Sequence, residues 1–291
     1  MIKTVARALA ALALLLAPAA YAEDADPGLW VVKDGDTTIY LFGTVHVLKP
    51  GLTWFDEAVK DAFDKSGEVR IEVPEPDPAA LQATVVRLAL NTSDPTVTER
   101  LPEDRRAAYN AALAEVGIPT GGFDHFDPWL SAVTLSVGLL PKYGYDPKSG
   151  AEKVIVAAAE AAHKPVTAFE TAEEQLGFFD SQSQDSQMKL LIKTIDELPK
   201  QQAELDKMVA SWAHGDAEAL GDQLEESLGA SPELEKALIT DRNARWADWI
   251  AARMAQPGTV FVAVGAGHLA GPHSVQTFLA QHHLKAERVR Y

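Results

Sequence analysis

The chain has 291 residues, 47% of them hydrophobic, no cysteine and a formal net charge of −16. The lack of cysteine excludes disulfides and thiolate chemistry, and the acidic balance repels nucleic acid and anionic lipid headgroups. Length and apolar content suffice for one large core, and the acidic residues are dispersed enough to read mainly as a solvated face.

Residues 1–22 read as a secretory signal peptide. Lys3 and Arg7 make a basic start, Ala8 to Leu16 is an unbroken apolar run, and Ala20-Tyr21-Ala22 is a small-x-small cleavage site. The expected product is residues 23–291, a single domain that is periplasmic or secreted after cleavage near Ala22. No later stretch approaches the roughly 18 apolar residues of a membrane span.

Trp30 to Lys33 and Thr37 to Phe42, joined by Asp34-Gly35-Asp36, predict a β-hairpin. Thr53 to Lys65 predicts a helix with Thr53 as its N-cap and Gly67 as its stop. Val69 to Val73 is a short strand closed by Pro74 and Pro76. Pro78 to Leu90, Pro102 to Val116 and Pro128 to about Leu140 predict helices, as does the Ala-rich run Ala151 to His163. Val166 to Glu170 is another short strand. From Glu173 to about Gln256 the pattern is mostly helical, broken near Ser181, Gly215 and Ser231. Thr259 to Val264 is the most apolar strand, and Ala286 to Tyr291 supplies a terminal one. Strands separated by helices predict an α/β fold: a central mixed or largely parallel sheet with long helical insertions.

Two segments end alike. Leu41-Phe42-Gly43-Thr44-Val45-His46 and Ala263-Val264-Gly265-Ala266-Gly267-His268 each run from an apolar strand into Gly-x-x-His. The other two apolar strands end in Glu72 and Glu170. Ligands of open α/β sheets bind beyond the carboxyl ends of strands, so two histidines and two glutamates are expected at one crevice. Gly43, Gly265 and Gly267 can take positive φ, which would let each histidine fold back towards that crevice. Two imidazoles and a carboxylate with one open position suit a divalent Mn, Co or Zn ion that acidifies a bound water.

The segment Leu41 to Leu48 resembles the opening motif of the TraB/GumN family. So do Arg70-Ile71-Glu72-Val73, Pro128-Trp129-Leu130, Lys164-Pro165-Val166, Phe169-Glu170-Thr171, Glu174-Gln175, Arg242-Asn243 and Val264 to Leu269. Order and rough spacing match across nearly the whole of residues 23–291. The Pro-rich stretch Pro74 to Pro78 departs from the pattern, stiffens the local loop and leaves the role of Glu75 and Asp77 open. The family includes Tiki proteins, which look like metal-dependent proteases, and its fold resembles that of erythromycin esterases and a haem-binding lipoprotein group. The resemblance implies a site of His46, His268, Glu72 and Arg242, with Glu170 as a further strand-end candidate. The expected activity is metal-dependent hydrolysis of a peptide or amide bond. In that reading His46, His268 and Glu72 hold the metal, Glu72 or Glu170 is the base, and Arg242 stabilises negative charge or orients Glu72.

Two rivals stand beside it. His46 itself is the general base, oriented by Glu72, in a metal-free esterase-like hydrolase. Alternatively the crevice binds a peptide, a signalling ligand or haem without turnover, with His46 or His268 as an axial ligand in the haem case. His125, His273 and the pair His282-His283 have weaker claims to a site.

Overall fold

The computed structural model describes residues 23–228 and 231–291; the signal peptide expected over 1–22 lies outside them. The strands are β1 (Glu23–Asp24), β2 (Leu29–Lys33), β3 (Thr37–Thr44), β4 (Leu52–Thr53), β5 (Glu68–Ile71), β6 (Val166–Ala168), β7 (Gly258–Gly265) and β8 (Glu287–Arg288). Six of them form one sheet in the order β6-β5-β7-β3-β2-β8, and β1 pairs with β4 separately. The run β6-β5-β7-β3 is parallel; β2 lies antiparallel to both β3 and β8. The fold is thus α/β with a mixed, mostly parallel sheet, and the Asp34-Gly35-Asp36 hairpin forms between β2 and β3.

The helices are α1 (Glu57–Lys65), α2 (Pro78–Ala89), α3 (Val97–Arg100), α4 (Glu103–Glu115), α5 (Pro128–Gly138), α6 (Ala151–Ala161), α7 (Ala172–Asp180), α8 (Gln184–Glu197), α9 (Gln201–Ala213), α10 (Ala217–Leu228), α11 (Pro232–Glu235), α12 (Asp241–Arg253) and α13 (Val275–Gln281). Among the described residues no helix is long and apolar enough to cross a membrane. The helix expected from Thr53 begins four residues later, because Leu52 and Thr53 are drawn into pairing with β1. The breaks near Ser181, Gly215 and Ser231 fall between helices as expected.

β7 is apolar from Val260 to Val264, where both its faces are buried, as parallel strands in the middle of a sheet require. Phe261 and Ala263 face one core with Phe42, Val59, Phe63 and Trp212. Val260, Val262 and Val264 face the other with Ile39, Leu41, Trp246 and Ile250. A third core, built from Val97, Leu101, Tyr109, Leu113, Leu135, Leu191 and Ile195, contains no strand residue and belongs to the helical insertions.

Parallel pairing sends the carboxyl ends of β3, β7, β5 and β6 to the same edge. Thr44 lies beside Gly265, and Ile71 lies between Ala263 and Ala168. The β5–β6 ladder continues one step further, through a Glu170 N–H donating to the Glu72 carbonyl at 2.9 Å. That register brings Glu72, Glu170, His46 and His268 to one end of the sheet.

Candidate functional site

Glu72, Glu170, Arg242 and His268 are each between 4% and 6% exposed, and Asn243 is fully buried. Their charges are matched around one guanidinium. Arg242 follows a π-helical turn at Lys236–Thr240, a distortion often found at functional sites. Its Nη2 lies 2.8 Å from an oxygen of Glu72 and 2.8 Å from an oxygen of Glu170. Its Nε donates to Glu170 at 2.9 Å. Its Nη1 donates to the Leu238 carbonyl and to His268 Nε2, both at 2.9 Å. No nitrogen of the guanidinium is left without a partner. The planar group also lies over Trp246, 4.7 Å from the ring centre.

Burial by itself would raise the Glu72 carboxyl. The His268 imidazole, the Arg242 guanidinium, His46 and the Gly265 N–H outweigh it and hold the carboxyl at about 2. The Gly265 N–H donates to Glu72 Oε1 at 2.5 Å, and Gln175 Nε2 spans Glu72 and Glu170, 3.3 Å from each. Arg242 is raised above its ordinary value: burial opposes its charge, but Glu72 and Glu170 prevail.

The tautomer of His268 follows from its neighbour. Asn243 Nδ2 donates to the carbonyls of His268 and His273, at 3.3 and 2.7 Å, so Asn243 Oδ1 is an acceptor. It takes the Nδ1–H of His268 at 2.6 Å. Nε2 then carries the lone pair, which accepts from Arg242. Burial first, and then Arg242 and His46, outweigh the attraction of Glu72 and push His268 down to about 3. It is neutral near physiological pH, packed against Trp246 with ring centres 4.4 Å apart and the rings tilted by 49°.

His46 differs from this set. It is exposed, and its ring makes no hydrogen bond among the described residues, yet it lies close enough to lower both the Glu72 carboxyl and the His268 imidazole when it carries a proton. His46, Glu72, Gln175, Arg242 and His268 line one cavity of about 730 Å³, and Glu170 and Asn243 do not. The Gly43–His46 segment is held from two sides. Trp212 Nε1 donates to the Gly43 carbonyl at 2.8 Å, and the Ala151 N–H at the start of α6 donates to the Val45 carbonyl at 2.8 Å.

The motif glycines serve close approach rather than positive φ. None of Gly43, Gly265 and Gly267 has left-handed backbone. A Cβ on Gly43 would lie 3.1 Å from Ala266 Cα, and one on Gly265 would lie 3.0 Å from Glu72 Oε1. The two Gly-x-x-His turns therefore pack against each other and against Glu72.

The expected metal ligands do not fit a shared ion in this arrangement. Both ring nitrogens of His268 and both oxygens of Glu72 are engaged, and only His46 offers a free donor. Among the described residues no group of three or more His, Asp or Glu side chains is placed to hold a metal. The cation these side chains surround is Arg242. Glu170 is bound by Arg242 and Gln175, with Arg245 3.5 Å away, and is absent from the cavity wall. His125, His273, His282 and His283 are all exposed and absent from it as well.

Three residues had no assigned role in the sequence reading. Asn243 and Gln175 stood in quoted motifs, and the signal was their place directly after Arg242 and Glu174. Glu152 carried none, since an acid in the first turn of a helix is ordinarily a favourable surface residue. Here its Oε2 is buried without a hydrogen-bond partner. Burial first, and then Glu72, push its carboxyl up to about 7 against the pull of Lys153.

A model of the TraB/PrgY/gumN family matches residues 28–288. An uncharacterized protein of Treponema pallidum (strain Nichols) is 22% identical over 261 residues, 84% of this chain and 78% of the relative. The uncharacterized protein YbaP of Escherichia coli (strain K12) is 25% identical over 257 residues, 87% of this chain and 92% of the relative. YbaP of Shigella flexneri is 27% identical over 206 residues, 68% of this chain and 76% of the relative. No solved structure matches the chain. With the paired turns, the buried Glu72–Arg242–His268 cluster and a family match running from β2 to β8, the chain belongs to the TraB/PrgY/gumN family.

Proposed function

We propose that this protein is an exported hydrolase of carbonyl esters or amides in which His46 is the general base and no metal takes part. The observation that carries the proposal is the exposed imidazole of His46, unpaired among the described residues, at a cavity it shares with a closed Glu72–Arg242–His268 network. A base must be reachable and must have a free nitrogen. His46 meets both requirements, and His268, whose nitrogens are both engaged, fails the second.

In the proposed reaction His46 takes a proton from water as the water oxygen bonds to the substrate carbonyl carbon. The carbonyl π pair moves to oxygen. When the tetrahedral intermediate collapses, the C–O or C–N bond breaks and the leaving group takes the proton back from His46. Glu72, kept ionised by Arg242, stabilises the imidazolium while it exists. Arg242, Glu170, Gln175 and Asn243 are positioning residues that keep Glu72 and His268 in place.

The test is a hydrolysis screen of nitrophenyl esters and anilides with residues 23–291, with and without chelator. His46→Ala is expected to lose about 10²–10⁴-fold, the usual contribution of acid–base catalysis, while chelator has no effect on the wild type. Activity lost to chelator and restored by Mn, Co or Zn would return the metal-dependent reading to the lead. Saturable ligand binding with no turnover of any substrate would favour a binding protein instead.

A further inference from the structure

The cavity beside His46 is far larger than a water-activating site needs. At about 730 Å³ it falls within the range of pockets that enclose a whole small molecule. Its walls come from the helical insertions. Leu140, Phe178, Leu198, Leu205, Met208 and Leu224 all line it, and each is only half-buried, so apolar surface is left for a ligand to cover.

Two features narrow the chemistry of that ligand. The first is backbone. The outer strands of the sheet are β6 and β8, and no residue of either lines the cavity. The insertion walls are mostly helical, with main-chain groups already bonded within the helices. An extended peptide would find no strand to pair with, and its amides would be stripped of water without replacement. The second is charge. Glu72, Glu197, Glu204 and Glu226 line the cavity, against Lys200 and Arg242 as its cations, histidines aside. Arg242 is already engaged at every nitrogen and balanced by Glu72, which leaves Lys200 facing three glutamates and makes the cavity a poor host for a carboxylate.

We infer that the cavity takes the aliphatic or aromatic body of an uncharged or cationic acyl ester or acyl amide, with the acyl carbonyl at the His46 end. The fate of the carbonyl rests on the hydrolase reading above; the binding of the apolar body does not.

The experiment is a fluorescence titration of residues 23–291 with the uncharged probe N-phenyl-1-naphthylamine. Dodecanamide, dodecanoate and a blocked tripeptide of three leucines follow as competitors. Saturable enhancement is expected, with dodecanamide displacing the probe at least about tenfold more tightly than either rival, a gap of about 1.4 kcal/mol. Leu205→Asp and Met208→Trp should each weaken the probe by at least about tenfold with an unchanged far-UV spectrum. If one of them fails to fold, the other decides. No saturable binding, equal displacement by dodecanoate or by the tripeptide, or folded variants that bind as wild type would each overturn the inference. The readout involves no turnover. Probe binding without hydrolysis defeats only the hydrolase reading, and hydrolysis of short acetyl esters without probe binding defeats only this one.

Discussion

Arg242 and Asn243, adjacent on one helix, hold the two nitrogens of a single imidazole. Arg242 Nη1 donates to His268 Nε2 at 2.9 Å, and Asn243 Oδ1 accepts from His268 Nδ1 at 2.6 Å. The pair fixes the ring, its tautomer and its neutrality together. The same guanidinium binds Glu72 and Glu170, so one helical start organises the ends of three parallel strands.

Asn243→Ala should cost about 1–3 kcal/mol, because the Nδ1–H of His268 and two backbone carbonyls lose their partner in a dry site. Urea unfolding measures it. Asn243→Asp places a negative charge against Nδ1–H and should raise the His268 pKa from about 3. Imidazole NMR resonances that titrate where they do in the wild type would sink this account of the tautomer.

Arg242→Met should cost about 3–5 kcal/mol, since two buried carboxylates are left without their counter-charge. Adding Glu170→Gln should recover part of that loss by removing one of the stranded charges. A double variant as unstable as the single one would show that the ion pairs are not what Arg242 contributes.

Acid should unfold the protein through this cluster. His268 sits at about 3 against an ordinary 6.5, and Glu72 at about 2 against an ordinary 4.5. Both folded-state values are depressed, so at falling pH the unfolded chain takes protons that the folded chain refuses. Stability present at neutral pH is then lost from about 6.5 down to 3 through His268, and from about 4.5 down to 2 through Glu72. Melting temperatures across that range should fall less steeply in a folded His268→Gln variant.

Glu152 works in the opposite direction. Its folded value is raised, from 4.5 to about 7, so the folded chain holds the extra proton and stability falls as pH rises across that window. Glu152→Gln removes the ionisation next to Glu72. It should be more stable than the wild type above about pH 7, by up to about 3 kcal/mol and with a correspondingly higher melting temperature, and match it in acid. Equal melting at high pH would mean that the Glu152 carboxyl relaxes into water when it ionises.

Gly150→Ala should disturb His46 without touching it chemically. A Cβ there would lie 2.2 Å from the His46 carbonyl oxygen, a backbone atom that cannot turn aside. A cost of about 1–3 kcal/mol is expected for the forced shift, with hydrolysis reduced more than cavity binding. Unchanged stability would show that the start of α6 is free to move away from the His46 segment.

Local pattern determined much of this protein. The Asp-Gly hairpin, the doubly buried strand at Val260 to Val264 and the helix breaks at Ser181, Gly215 and Ser231 are all legible, because turn chemistry and hydrophobic period act over a few residues. The convergence of His46, Glu72, Glu170 and His268 was also legible, since parallel strands deliver their carboxyl ends to one edge. Only the tertiary structure decided what that convergence means. Arg242 lies 170 residues from Glu72 along the chain, and whether a guanidinium or a metal ion neutralises that carboxylate depends on which donors face it in space. The exposed position of His46, the half-buried one of Glu152 and the apolar chamber between helices are likewise products of packing between distant segments, which no local spacing encodes.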